Sequence, residues 1–462
     1  MPSAAPSPRS GSSRGPRLLA ALGLDRPDAR AWAAYDWAIS GMQTVVMSAV
    51  FPVYFVRVAA ADLPGAGATQ LLARWNAIAL AFAAVLSPVL GAIADTRAAK
   101  KPFLAAFTAL GAASTVALVV VQRGDAVLAG ALFAACMVAG AGALVFYEAL
   151  LPHVAPAGEI DRVSTAGYAL GYVGGGALLA LNLLWIQKPE WFGLPHGAGA
   201  TAEARTLPVR LAFVSVGVWW VLFSLPLFRR VREPPRRLEP GERERAGAVR
   251  LAVARLGATV RELRRHRQAA LMLVAFLVYN DGIQTIIKMA AAYGAEIGIG
   301  SGALIGAILM VQLVGIPFTF LFGALASRMG AKRAVLAGLA VYAGIALLGW
   351  RMRTAAEFFA LAALVGVVQG GTQALSRSLF ASMIPRHRSG ELFGYWGVFE
   401  KFSGVLGPLA FDLVIGATGS SRSAVLAVIA FFAVGAALLS RVDVEAGRRA
   451  AAADEERSRA NA

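Results

Sequence analysis

Between Tyr279 and Lys288 the chain reads Tyr-Asn-Asp-Gly-Ile-Gln-Thr-Ile-Ile-Lys, which sets strongly polar side chains inside a run, 268–294, that is otherwise apolar. At about 100° per residue, Asn280, Asp281, Gln284 and Lys288 share one helical face, with Tyr279, Ile283 and Ile286 opposite. A charge facing hydrocarbon costs several kcal/mol, so such a stripe must turn toward a protein-lined cavity or a neighbouring helix. Asp281 has the chemistry to hold a proton or an amine, with Asn280 and Gln284 as hydrogen-bond partners, and Lys288 has the chemistry to capture a carboxylate. The alternative is structural: Asp281 and Lys288 pin adjacent helices together.

Two more stripes resemble this one. Asp36, Ser40, Gln43, Met47 and Tyr54 fall near one line of a helix, and Gln369, Gln373, Ser376 and Arg377 occupy one face of another. Arg377 lies about two turns inside Pro385 and needs an anion there. Glu148, Glu400 and a substrate carboxylate are the candidates. Lys401 directly follows Glu400, and adjacent residues on a helix point apart, so the two are expected to serve different partners.

The elements that must position these groups follow from composition. Of 462 residues, 58% are hydrophobic and 15% charged, the profile of an integral membrane protein. Crossing a hydrocarbon core of about 30 Å takes about twenty apolar residues as a helix. Twelve runs meet that length: 31–57, 71–94, 102–121, 126–152, 163–187, 208–228, 268–294, 302–326, 331–350, 357–384, 391–417 and 423–440. The expected fold is all-α. The net charge of +17 sits in short runs between apolar segments and not on one aromatic-bearing face, which argues against nucleic acid. Cys136 is the single cysteine, and His153, His196, His266 and His387 are scattered without acidic partners at ligand spacing. Neither a metal site, a cofactor nor an enzymatic centre is expected.

Residues 1–30, rich in Ser, Pro and Arg, predict a disordered cytoplasmic tail, and 441–462 a second cytoplasmic tail. The span 229–267, with thirteen Arg against five Glu, separates the N-terminal half, 31–228, from the C-terminal half, 268–440. Its residues Val249, Val253, Leu256, Val260 and Leu263 recur at helical spacing, predicting an amphipathic helix on an anionic membrane surface. This linker and the turns 95–101 and 327–333 carry the positive excess, so they and both termini are expected in the cytoplasm of a cell with the protein in its inner, plasma membrane.

The halves repeat. Gln43-Thr44-Val45-Val46 echoes Gln284-Thr285-Ile286-Ile287; Gly91, Asp95, Lys100 and Lys101 align with Gly323, Ser327, Lys332 and Arg333; Leu151-Pro152 matches Ile384-Pro385. Three matches in the same order predict a duplicated six-helix unit in parallel orientation, with a binding site near the midplane between the halves. Gly167, Gly171, Gly174, Gly175 and Gly176, and the glycines at 394, 397, 404 and 407, are expected to pack and hinge helices.

The turn Gly91-Ala-Ile-Ala-Asp95-Thr-Arg97-Ala-Ala-Lys100-Lys101 resembles the signature between the second and third helices of the major facilitator superfamily. Trp32-x-x-Tyr35-Asp36-Trp37-Ala38, Phe146-Tyr147 through Leu151-Pro152, Gly167-Tyr168-Ala-Leu-Gly171-Tyr172, Tyr279-Asn280-Asp281-Gly282 and Gly370 to Ser378 are more specific. Together they resemble the branch containing the fungal autophagy-related vacuolar amino-acid effluxers and their bacterial relatives. The resemblance implies a twelve-helix rocker-switch transporter, with Gly91, Asp95, Arg97, Lys100, Lys101 and Glu148 forming a cytoplasmic latch. Two positions depart from the pattern: Ile39 stands where Asn is expected, and Ser327 replaces the acid of the second-half turn.

The expectation is a monomeric secondary transporter of a small polar solute, an amino acid or related metabolite, working as an effluxer with a coupling proton. Asp36, Gln43, Asn280, Asp281, Gln284, Lys288, Gln373, Arg377, Glu400 and Lys401 are its candidate substrate and coupling residues. The alternative is a lipid or amphiphile flippase on the same fold.

Overall fold

Long Ala-, Leu- and Val-rich runs must satisfy every backbone group internally if they face lipid, and a helix does so without a partner. The computed structural model describes residues 19–63, 67–156, 158–197, 199–235, 266–296, 299, 301–404, 406–418 and 421–460. The first half holds α1 (Pro27–Ala59), α2 (Gly67–Arg97), α3 (Lys100–Ala117), α4 (Ala126–Val154), α5 (Ile160–Gln187) and α6 (Leu207–Arg230). The second holds α7 (Arg267–Glu296), α8 (Ser301–Met329), α9 (Ala331–Arg351), α10 (Ala355–Ser382), α11 (Ser389–Phe402), α12 (Leu406–Thr418) and α13 (Ser421–Ser440), followed by the terminal helix α14 (Val444–Ala460). Eleven helices among the described residues are long and apolar enough to cross a membrane. Large apolar side chains lie on the outside, including Val85 at 74% and Leu413 at 73% exposure, as a lipid-facing surface allows.

Three details depart from the sequence-based expectations. Order begins before residue 31: Leu24 is buried, Arg30 donates to the Leu24 and Asp25 carbonyls, and Pro27 opens α1, where its missing N–H costs nothing. The part of the 1–30 tail that is described is therefore built into the bundle. The eleventh run, 391–417, is two helices and not one. Ser403 turns extended and Gly404 takes φ +89°, a conformation that a residue with a side chain resists, so α11 ends there and α12 starts at Leu406. Finally, α1 widens to i→i+5 bonding over Met42–Val50 and again over Phe55–Ala59, which shifts the faces assigned at 3.6 residues per turn. Tyr54 turns away from the Asp36 line and donates to the Val121 carbonyl. The amphipathic segment predicted within 249–263 lies outside the described residues.

The duplication is visible in how each half closes. Lys101 Nζ donates to the Phe228 and Val231 carbonyls at the end of α6, at 3.0 and 2.6 Å. Lys332 Nζ does the same at the end of α13, reaching the Ser440 and Val442 carbonyls at 2.7 and 2.8 Å. In both halves the lysine after the second helix caps the sixth, where a cation complements the helix dipole. Glu233 reinforces the first of these corners by accepting from the Lys100 and Lys101 backbone at 2.8 and 2.7 Å, although burial pushes its carboxyl up.

Within the first half, α5 lies on α1 through its glycines. A Cβ at Gly167 would stand 2.6 Å from Asp36 Oδ2, and one at Gly174 would meet the Trp37 backbone and ring. Hydrocarbon offers no hydrophobic drive for such pairing, so close approach and dispersion must supply it. Gly176, by contrast, faces open space.

Candidate functional site

The end of the bundle that carries the 229–267 linker, called here the linker end, is where the halves are joined. Asp95 at the end of α2 accepts from Gly390 N at 3.1 Å and Glu391 N at 2.8 Å, so a carboxylate of the first half caps the N-terminus of α11 in the second. Lys100 forms an ion pair with the same carboxylate. Such an approach needs glycine on both sides: a Cβ at Gly91 would collide with the Gly390 carbonyl, and one at Gly394 would reach 2.7 Å from Pro88 Cα. Ser389 Oγ adds a bond to the Ala149 carbonyl at 2.8 Å, and Arg388 turns back to Glu391 at 3.1 Å.

Of the expected latch residues, Gly91, Asp95 and Lys100 meet at this junction. Lys101 serves its own half, as described above, and Arg97 is exposed. In the second half, among the described residues, Ser327 bonds only to the Ala324 carbonyl of its own helix, while Gly323 packs against Thr165 of α5.

One layer deeper lies Arg377 of α10, 1% exposed. Its Nε donates to Ser164 Oγ and its Nη2 to the Ser164 carbonyl, both at 3.0 Å, and Nη2 lies 3.3 Å from Asp36 Oδ2. Glu148 Oε1 is 3.9 Å from Nη1. The guanidinium is also boxed by the rings of Trp32 at 5.0 Å, Tyr147 at 5.6 Å and Tyr168 at 4.4 Å. Tyr147 donates to Asp36 at 2.7 Å and stacks on Trp32 at 4.4 Å, fixing both partners. The anion facing Arg377 in this structure is therefore chiefly Asp36, with Glu148 behind it. Glu400 and Lys401 were expected to point apart, yet Lys401 Nζ reaches Glu400 Oε2 at 3.7 Å, because a long lysine stem can fold back along its helix.

The polar stripe of α7 is divided. Asp281, fully buried, accepts from Gly404 N at 2.5 Å and Gly407 N at 3.0 Å and so covers the interruption between α11 and α12. Asn280 links Gln373 Nε2, at 2.6 Å, to Ser403 Oγ, at 2.5 Å. Asn280, Asp281 and Gln373 thus fasten α7 and α10 to the break, because interrupting a helix frees backbone groups that must find partners inside the protein.

The cavity lies between the halves on the far side of Arg377. It measures about 420 Å³, within the range of small-molecule pockets. The first half contributes Ser40, Gln43, Thr44 and Ser48 from α1 and Tyr168, Gly171 and Tyr172 from α5; the second contributes Thr285, Gln312 and Gln369 among many apolar groups. Gly349, Met352 and Phe358 line it toward the end opposite the linker. Its polar groups are amides and hydroxyls; no charged side chain lines it among the described residues. Of the expected substrate residues, Gln43 lines it. Asp36, Asn280, Asp281, Gln284, Gln373, Arg377, Glu400 and Lys401 are not among its lining residues, and the side chain of Lys288 lies outside the described residues. Thr44 and Ser48 were missed because the i→i+5 stretch brings them round to the cavity. Tyr168 and Tyr172, four apart on the glycine-rich helix, entered the sequence reading only as part of a motif, and Gln312, a lone amide in an apolar run, was passed over.

Known proteins resemble the chain over most of its length. Residues 68–452 match the family model described as vacuole effluxer Atg22 like. The MFS-type transporter YxiO of Bacillus subtilis is 33% identical over 415 residues, covering 90% of this chain and 94% of that one. Autophagy-related protein 22 of Yarrowia lipolytica is 26% identical over 316 residues, 63% of this chain and 51% of its own, so the chain spans about half of that fungal relative. Among solved structures, the major facilitator proton:xylose symporter XylE superposes with a TM-score of 0.67 at 14% identity, over 90% of this chain and 95% of that one.

Proposed function

The chain belongs to the Atg22-like branch of the major facilitator superfamily, and from that premise we propose that it exports a small polar solute, an amino acid or related metabolite, by alternating access. The observation that carries this reading is the cavity between the halves, lined by amides and hydroxyls from both and sealed at the linker end by bonds that cross between them. Neutral donors and acceptors suit a solute whose own charges balance, such as a zwitterion, since a net charge would enter this lining without a counter-ion. Gln43 and Thr44 of α1, Tyr172 of α5, Gln312 of α8 and Gln369 of α10 form the binding set. Rocking of the halves breaks the Asp95 and Arg377 contacts and opens the linker end, and a proton gradient drives the cycle.

The test is counterflow of a labelled amino-acid mixture in proteoliposomes. Gln43→Leu and Gln369→Leu, each removing one hydrogen-bonding group from the cavity, are expected to lower transport about tenfold, equivalent to about 1.4 kcal/mol, with unchanged melting. Undiminished transport in both would remove the cavity from the binding role.

We further propose that both termini and the linker face the cytoplasm, as the basic loops require. In Cys136→Ser protein, an impermeant maleimide applied to intact cells is expected to label Ala200→Cys and to spare Ala246→Cys. The reverse pattern would invert the molecule.

A further inference from the structure

Beneath the cavity, five charged side chains gather. Asp36 of α1, Glu148 of α4 and Glu400 of α11 bring three carboxylates; Arg377 of α10 and Lys401 of α11 bring two cations. Arg377 is matched to Asp36 at 3.3 Å, and Lys401 to Glu400 at 3.7 Å. Glu148 is left over. Its side chain is 5% exposed, its nearest cationic contact is 3.9 Å away on a guanidinium already engaged by Asp36 and Ser164, and no hydrogen bond reaches it among the described residues. The other titratable groups facing the cluster are Tyr147 of α4, which donates to Asp36, and Tyr168 of α5. With every member ionised the cluster carries one negative charge too many. A buried, uncompensated carboxylate is costly, and the smallest cation able to cancel it is a proton.

We propose that Glu148 is the site of the coupling proton. The inference rests on the transport reading above and names the group that the cation occupies. Tyr168 both lines the cavity and stacks on Arg377, so solute and proton share one wall. Asp36 and Glu148 belong to the first half, Arg377 and the Glu400–Lys401 pair to the second. In the sealed arrangement Glu148 sits within the five-charge cluster and holds the proton. When the halves part at the linker end, Arg377, Glu400 and Lys401 withdraw together and water enters beside Glu148, which then surrenders the proton to that side.

The test uses the proton itself as probe and needs no identified solute. Infrared difference spectra of the purified full-length protein, recorded through pH steps, are expected to show one buried protonated carboxylic acid around neutral pH, absent from Glu148→Gln. Asp36→Asn leaves Glu148 in place but brings the count to two carboxylates and two cations, so the same band is expected to titrate about one to three pH units lower. A wild-type spectrum with no such band, or a band that survives Glu148→Gln, overturns the proposal whatever the variants' stability. So does an Asp36→Asn band that does not move. Because no solute is involved, failure here leaves the cavity assignment standing, whereas failed counterflow leaves this result untouched.

Discussion

Asp281→Ala is expected to destabilise the protein by about 2 to 6 kcal/mol, since it strips the acceptor from two buried backbone N–H groups at about 1 to 3 kcal/mol each. Those groups, on Gly404 and Gly407, flank the start of α12, where the carboxylate also faces the positive end of the helix. Asp281→Asn keeps an acceptor oxygen and loses the charge, so its cost should fall well below that of alanine. Thermal melting in detergent gives the order: wild type, then Asn, then Ala. Transport separates this role from proton or amine binding. A capping residue predicts that Asp281→Asn, measured per folded molecule, still moves solute. Collapse of transport in an Asn variant that melts normally would return Asp281 to the coupling role that its sequence context suggests.

The difference between these two roles shows where sequence reading stops. Asn280, Asp281, Gln284 and Lys288 do share a helical face, and that much follows from spacing alone. What spacing cannot supply is the state of the neighbouring helix. Run 391–417 is apolar enough to be taken as one span, and its interruption rests on the backbone of Ser403 and Gly404, which the hydropathy pattern does not encode. Once α11 stops there, its partner helix acquires free N–H groups to satisfy, and the polar residues nearest them are consumed by packing. The same limit applies to α1. A period of 3.6 places Tyr54 with Asp36, whereas the i→i+5 stretch turns Thr44 and Ser48 toward the cavity. Features that depend on one helix and its composition were legible: the apolar runs, the glycine face of α5 and the repeat. So was the demand of Arg377 for an anion. Which anion answered it depended on how α1, α4 and α10 converge, a tertiary fact.

That convergence makes Arg377 the residue whose loss should matter most. Arg377→Met leaves Asp36 without its cation inside the protein, and breaking a buried pair in this way costs about 3 to 5 kcal/mol. Arg377→Lys should recover little. Lysine lacks the planar fork that lets Nε bind the Ser164 hydroxyl while Nη2 binds the Ser164 carbonyl and approaches Asp36. All of these partners lie in the first half, so in the proposed cycle the contacts are made in the sealed arrangement and broken when the linker end opens. Their removal must therefore favour the open arrangement as well as lower stability, because a contact present in one state biases only that state. Ala149 reports the difference: it is fully buried, and its carbonyl accepts from Ser389 across the junction. In Cys136→Ser protein, Ala149→Cys should react slowly with a maleimide, and about tenfold faster or more once Arg377→Met is added, tenfold being about 1.4 kcal/mol of bias. Lowered melting with unchanged labelling would mean that Arg377 holds the scaffold in both arrangements, and the gate would then rest on Asp95 and the α11 N-terminus alone.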